Sequence, residues 1–208
     1  MSRRQGVAGY ILAGGESSRM GRDKALLVIG GAPLVGRTAA LVALLTGPPT
    51  IIGAPERYES FGYRVIGDDA PGLGPLGGIA TALRDSRESW NLIVGCDLPF
   101  LTNEWLAYLI DRALRSQADA VVPQSAAGAE PLCAMYRKHC EPSVREAILR
   151  GVRKVMDGFA AIQVEGIPPE EWKSFDPCGI LFKNVNSPQD FEEAGAVFKR
   201  EYERESGS

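Results

Sequence analysis

Val7-Ala8-Gly9-Tyr10-Ile11-Leu12-Ala13-Gly14-Gly15-Glu16-Ser17-Ser18-Arg19-Met20-Gly21-Arg22-Asp23-Lys24 begins as an apolar run and ends as a glycine-rich, cationic loop. The run has the length and composition of a buried β-strand. After it, Gly14 and Gly15 leave backbone N–H groups open to close approach, because no Cβ stands in the way. Arg19 and Lys24 add fixed positive charge at a spacing suited to gripping a polyphosphate from two sides. The pattern is not a P-loop, since Ala25 follows Lys24 where that motif needs Ser or Thr, and it lacks the G-x-G-x-x-G spacing of a dinucleotide fingerprint. A strand, a bare amide nest and two cations predict a site for a nucleoside triphosphate.

Outward from this stretch, strand-like and helix-like patterns alternate. Further strands are expected at 50–53, 63–66, 91–95 and 120–123. Leu34, Thr38, Leu41, Val42 and Leu45 share one helical face, as do Ile79 and Leu83 after Pro75, which suits a first helical position. Thr102 is placed to cap a helix with Leu106, Leu109, Ile110, Ala113 and Leu114 on its apolar side. Beyond 123 the expected elements are a strand at 132–136, a helix at 142–149 and a strand at 159–164. A last helix follows, with Ser187 as N-cap and Pro188 at its first position, and a charged, fraying tail at 199–208. This order predicts a single-domain α/β fold: a mostly parallel, Rossmann-like sheet with helices on both faces. Its ligand site is expected at the carboxyl ends of the strands.

The overall balance of the chain narrows its class. With 208 residues, 45% apolar, the chain is long enough to bury a full core. A net charge of −3 argues against a nucleic-acid surface. No apolar run reaches membrane-spanning length and residues 1–5 do not open a secretory leader, so a cytoplasmic protein is expected. Cys96, Cys133, Cys140 and Cys178 form no C-x-x-C pair, and reduced thiols are the expectation. His139 is the single histidine, and nothing marks it as a base for Cys96.

A second chemical signal is Gly95-Cys96-Asp97-Leu98-Pro99-Phe100. Asp97 follows an apolar run and so stands at the carboxyl edge of a central strand, where Mg²⁺ bound to phosphate oxygens would find a carboxylate. The alternative is an Asp that caps the next turn. Between the two signals, Gly67-Asp68-Asp69-Ala70-Pro71-Gly72-Leu73-Gly74-Pro75 supplies a second backbone-rich wall at the same edge.

The segment from Leu12 to Leu27, with Ala13-Gly14-Gly15, Arg19-Met20-Gly21 and Asp23-Lys24, resembles the signature of the molybdenum cofactor nucleotidyltransferases, most closely the guanylyltransferase family. Cys96-Asp97-Leu98-Pro99-Phe100 resembles that family's magnesium-binding block. Glu130-Pro131-Leu132 is similar to a stretch on the acceptor side, and Asn184-Val185-Asn186-Ser187-Pro188-Gln189-Asp190 is similar to an Asn-x-Asn-Thr-Pro-Glu-Asp block. The resemblance implies a nucleotide-diphospho-sugar-transferase-like fold over residues 1–208. It puts the nucleotide on about 1–100 and the acceptor on about 101–195. It implies Mg²⁺-dependent transfer of GMP from GTP to the terminal phosphate of molybdopterin, with a cytidylyltransferase acting on the same pterin with CTP, or a different small-molecule nucleotidyltransferase, as the alternative. Leu12, Ala13, Gly14, Gly15, Lys24, Asp68 and Asp97 would then bind nucleotide, with Asp69 the competing candidate for the place of Asp68; Arg19, Lys24 and Asp97 would act in catalysis, Asp97 would hold the metal, and Asn184 and Asn186 would reach the pterin. Molybdenum insertion proteins or acceptor molybdoenzymes would be partners. Where that family often carries Asn at the end of the second strand, this chain has Gly53, which puts a side-chain contact there in doubt.

Overall fold

The computed structural model describes residues 4–14, 23–70 and 72–206. Strand β1 (Val7–Leu12) leads to a small hairpin of β2 (Val28–Ile29) and β3 (Ala32–Pro33), then helix α1 (Leu34–Thr46). Next come β4 (Thr50–Ile52), the short α2 (Pro55–Tyr58), β5 (Arg64–Ile66), α3 (Pro75–Asp85), β6 (Trp90–Gly95) and α4 (Asn103–Arg115). The second half holds β7 (Ala120–Ser125), β8 (Gly128–Ala129), β9 (Cys133–Arg137), α5 (Glu141–Leu149), α6 (Val155–Gly158), β10 (Val164–Ile167), α7 (Pro169–Trp172) and α8 (Pro188–Ser206).

The main sheet has the order β10-β7-β9-β6-β1-β4-β5, with β8 added to β7. Strands β5, β4, β1 and β6 run parallel, as do β7 and β10, and β9 runs against both of its neighbours. The centre of the sheet is covered on both sides, which is why β6 reads as an almost unbroken apolar run with every residue buried. Alternate residues serve different layers. Val7 and Ile11 of β1 join Leu92 and Val94 in the core shared with α1 and α4, while Tyr10 and Leu12 join Ile93 in the core shared with α3 and α5. Gly9 sits where α1 lies directly on β1. A Cβ there would stand 2.5 Å from both Val42 Cγ1 and Thr46 Oγ1.

Helix α4 begins where Thr102 Oγ1 accepts from the Trp105 N–H, the expected N-cap. Its buried face is Trp105, Leu106, Leu109, Ile110 and Ala113, and Trp105 meets Tyr108, Trp172, Phe175 and Phe182 in one aromatic cluster. A third small core lies beneath α8, where Phe100 stacks on Phe198 at 5.3 Å and packs with Ile29, Leu34 and Val185.

Two expectations need correction. Leu114 is not part of the buried stripe of α4 but is 43% exposed, one position past the face that Trp105 and Leu109 define. The strand expected at 159–164 begins only at Val164, because Phe159 follows the turn of α6 and inserts inward to stack on Tyr136 at 4.8 Å. Helix α8 runs through the charged end as far as Ser206.

This topology fixes what comes together. The carboxyl ends of β1, β4, β5 and β6 lie along one edge. Their ladder continues past the strands through Ala13 N to Ile52 O, Gly53 N to Ile66 O and Cys96 N to Leu12 O. Antiparallel β9 begins at that edge, where Gly95 N donates to Leu132 O at 2.8 Å.

Candidate active site

Asp97 lies in the turn after β6, at the carboxyl edge. Gly95 has no room for a Cβ, which would stand 2.6 Å from Asp97 Oδ1, so the glycine lets the carboxylate fold over the strand end. Lys24 opens a 3₁₀ turn, Lys24–Leu26, capped by Asp23, whose Oδ1 accepts from Ala25 N at 3.0 Å. From there Lys24 Nζ donates to Asp97 Oδ2 at 2.9 Å and to Asn186 Oδ1 at 2.9 Å. The third member is held by the backbone: Val185 N donates to the Asp97 carbonyl at 2.9 Å, leaving Asn184 and Asn186 exposed on either side of buried Val185. Asp190 Oδ2 accepts from Asn186 N and Ser187 N, and Ser187 Oγ accepts from Asp190 N. This reciprocal cap fixes both the start of α8 and the position of Asn186.

The structure separates Asp68 from Asp69. Asp68 Oδ1 accepts from Ala70 N at 2.9 Å and lies 3.1 Å from the Thr81 hydroxyl, which builds it into the loop wall between β5 and α3. Asp69 pairs instead with Arg84 on α3. Leu12, Ala13 and Gly14 sit at the end of β1. Gly14 is exposed, and among the described residues a Cβ there would meet nothing within 4 Å. Gly15 and Arg19 lie outside the described residues.

The oxygens of Asp97 and Asn186 converge on one cationic group, the Lys24 ammonium. A carboxylate and an amide carbonyl make a hard, all-oxygen donor set, and among the described residues no three His, Cys, Asp or Glu side chains cluster as a metal cage. Few protein oxygens, with phosphate and water left to complete the shell, is the donor pattern that Mg²⁺ takes, and these residues fit it. Glu130 stands on the same side. Burial, and then the Asp97 charge, push its carboxyl above the ordinary range, while Ser125 Oγ donates to it at 2.6 Å.

Cys96 is buried, and desolvation pushes its thiol up to about 12, so it stays protonated and is no nucleophile. His139 pairs with Asp119 at 2.7 Å, in the turn after β9 at the far end of the sheet. A cavity of about 520 Å³ opens at that far end, lined by Ser89, Arg137, Lys138 and His139. Its cations are engaged within the fold: Arg137 lies over Trp90 and donates to Ala118 O, and Lys138 donates to Ser86 O. Volume alone therefore does not select the site; the convergence on Lys24 does.

A family model, the MobA-like NTP transferase domain, matches residues 9–164. The chain belongs to the MobA-like NTP transferase family. As a member it is a nucleotidyltransferase. It is 36% identical over 207 residues to a probable molybdenum cofactor guanylyltransferase of Nostoc sp., covering 95% of this chain and 92% of that one. It is 33% identical over 189 residues to a protein of the same name from Pelotomaculum thermopropionicum, covering 90% and 91%. Molybdopterin-guanine dinucleotide biosynthesis protein A from Archaeoglobus fulgidus has a similar structure, with a TM-score of 0.81, 25% identity and coverage of 93% and 99%. The fold is also shared with a 2-C-methyl-D-erythritol 4-phosphate cytidylyltransferase from Thermus thermophilus, at a TM-score of 0.67 and 16% identity.

Sequence reasoning gave no role to Asp23, Arg57 or Tyr58. The Tyr58 hydroxyl lies 2.9 Å from both Ala13 O and Asp23 Oδ2, and Arg57 Nη1 lies 3.1 Å from the same carboxylate oxygen. The available signal was Gly53. A Cβ at that position would stand 2.5 Å from Tyr58 Cε2, so the missing side chain makes room for the ring.

Proposed function

We propose that this MobA-like transferase moves GMP from GTP to the terminal phosphate of molybdopterin, releasing pyrophosphate in a Mg²⁺-dependent reaction. The observation that carries the reading is the meeting of Lys24, Asp97 and Asn186 beside the end of β1. The names and coverage of its relatives support the guanine and pterin assignment. Residues up to about 100 would hold the nucleotide and those from about 101 to 195 the acceptor, within one domain.

The acceptor phosphate is already ionised, so the reaction needs no strong general base and no covalent enzyme intermediate. The chain's work is to position two substrates in line and to meet developing charge. The Leu12–Gly14 backbone lies along the nucleotide, with Asp68 in the opposite wall. Lys24 and Arg19 stabilise the pyrophosphate as it leaves. Asp97 and Asn186 are the residues that would hold Mg²⁺, which would supply charge neutralisation for the phosphates. Asn184 and Asn186 offer amides to the pterin edge. Glycine at residue 14 favours guanine, because a bare backbone edge can approach a purine closely. In this reading the enzyme works in the cytoplasm and hands its product to molybdenum insertion proteins or acceptor molybdoenzymes.

The test is pyrophosphate release by the purified chain with molybdopterin and GTP, CTP or ATP, each with Mg²⁺ or with chelator. GTP-dependent release that chelator abolishes is the expected result. Preference for CTP would replace guanylyl by cytidylyl transfer.

A further inference from the structure

We infer that Tyr58 is a positioning residue for nucleotidyl transfer: its hydroxyl is the strut that holds the Lys24 turn against the carboxyl end of β1. The inference rests on the transfer reading above and adds a residue that lies outside the substrate-binding set.

The geometry is specific. Tyr58 is 2% exposed, and its hydroxyl shares one proton between the Ala13 carbonyl and Asp23 Oδ2, both at 2.9 Å. Ala13 ends the nucleotide-facing strand, and Asp23 caps the turn that carries Lys24. One phenol therefore links the two segments that must keep a fixed spacing if a nucleotide lies along one and its phosphates meet the other. Asp23 is fully engaged: Oδ1 caps Ala25 N, while Oδ2 takes Tyr58 and Arg57. Burial, then the Asp23 carboxylate, raise the phenol well above its ordinary value of 10.0, so the hydroxyl keeps its proton at working pH.

Gly53 is the structural counterpart. Its missing Cβ admits the Tyr58 ring at the end of β4, where Ala or Asn would force the ring aside. Glycine at residue 53 thus has a local cause in this chain. The space is taken by the strut and does not serve a side-chain contact to the base.

Tyr58→Phe keeps the ring and removes only the hydroxyl. It is expected to lower kcat/KM for GTP by about tenfold, the worth of one hydrogen bond to a charged group. Gly53→Ala, which displaces the ring, is expected to cost at least as much. The decisive readout is the same Tyr58→Phe change in a Lys24→Ala background, where its cost should fall below about twofold, because the hydroxyl acts through Lys24. Equal losses in both backgrounds, or no loss in the wild-type background, would overturn the strut. If wild-type protein shows no GTP turnover, the guanylyl reading fails. The comparison is then made with whichever triphosphate shifts the thermal midpoint: weaker binding by Tyr58→Phe supports the strut, and equal binding overturns it.

Discussion

Lys24 Nζ lies 2.9 Å from Asp97 Oδ2, joining the turn after the first strand to the turn after the sixth. The two side chains are 25% and 14% exposed, so the pair is only partly shielded from water. Its meaning is chemical before it is structural. Partly exposed ion pairs add little stability, whereas a cation and a carboxylate held together at a strand edge are what a polyphosphate and its metal need. Lys24 also reaches Asn186, and the Asp97 carbonyl holds Val185, so three distant stretches of chain converge on this edge.

The first prediction follows from that shared space. The Lys24 ammonium holds the same two oxygens that would ligate Mg²⁺, so Lys24→Ala is expected to bind Mg²⁺ more tightly without nucleotide while losing about a hundredfold or more in kcat. Asp97→Ala is expected to lose metal-dependent turnover with the fold intact. Titration calorimetry with Mg²⁺, initial rates across metal concentration and circular dichroism check all three. Unchanged Mg²⁺ affinity in Lys24→Ala would contradict the shared position, and full activity in Asp97→Ala would remove Asp97 from the metal.

Gly14 supplies the second. No neighbouring atom among the described residues demands glycine there, so Gly14→Ala is expected to leave thermal stability within about 0.5 kcal/mol of wild type. Its effect should fall on base choice: weaker use of GTP and a relative gain for CTP, read as the ratio of kcat/KM values. An unchanged ratio would move base selection away from this residue.

Much of this fold was legible in the chain because its signals were local. The apolar run 91–95 bounded by Asp97, the Thr102 cap and the Ser187-Pro188 helix start each depend on a few adjacent residues, and each stands where expected. Lys24, Asp97 and Asn186 were recognisable as chemistry, and topology brought them together. Contacts that depend on shape were not legible. Phe159 reads as a strand residue until Tyr136 is known to lie under it, and Leu114 differs from Leu109 only by its angle around α4. The different partners of Asp68 and Asp69 were hidden too, since Arg84 is sixteen positions from Asp68 in sequence and beside Asp69 in space. Tyr58 stayed hidden because a buried hydroxyl shows only through its partners, Ala13 and Asp23.

The cap at α8 gives a third prediction. Asp190 accepts from two backbone N–H groups, and that satisfaction holds its carboxyl below the ordinary value of 3.8, the Asn186 N–H being the largest cause. Asp190→Ala is expected to loosen Asn186 and to lower both kcat/KM and the thermal midpoint. Asp190→Asn retains an acceptor oxygen and should recover most of each loss. Loss of midpoint with unaltered kinetics would separate the cap from the site.

Gly9 tests the packing that holds β1 in place. Because a Cβ would stand 2.5 Å from Val42 Cγ1 and Thr46 Oγ1, Gly9→Ala must push α1 off the sheet. The expected cost is about 1–3 kcal/mol, measured by urea unfolding. Gly67→Ala, where a Cβ meets nothing within 4 Å among the described residues, is the matched control and should be near neutral.

The last prediction concerns acid. Asp85 accepts from Arg64 Nη1 and Nη2 at 2.6 and 2.7 Å and from the Tyr10 hydroxyl at 2.9 Å, tying edge strand β5 to α3 and β1. The Arg64 guanidinium, opposed by partial burial and aided by Tyr10, holds the Asp85 carboxyl below its ordinary value of 3.8. A folded value below the unfolded one means that this stabilisation is fully present above 3.8 and is lost as pH falls through the folded value. Arg64 is 59% exposed, so water screens the pair and about 1 kcal/mol is the reasonable scale at neutral pH. Asp85→Asn should therefore unfold earlier than wild type at neutral pH, with the gap closing as both are titrated from above 3.8 down through the folded value of Asp85. Midpoints measured by thermal unfolding across that range check the sign: a gap that persists undiminished in acid would show that the contact acts by packing and owes nothing to the charge on Asp85.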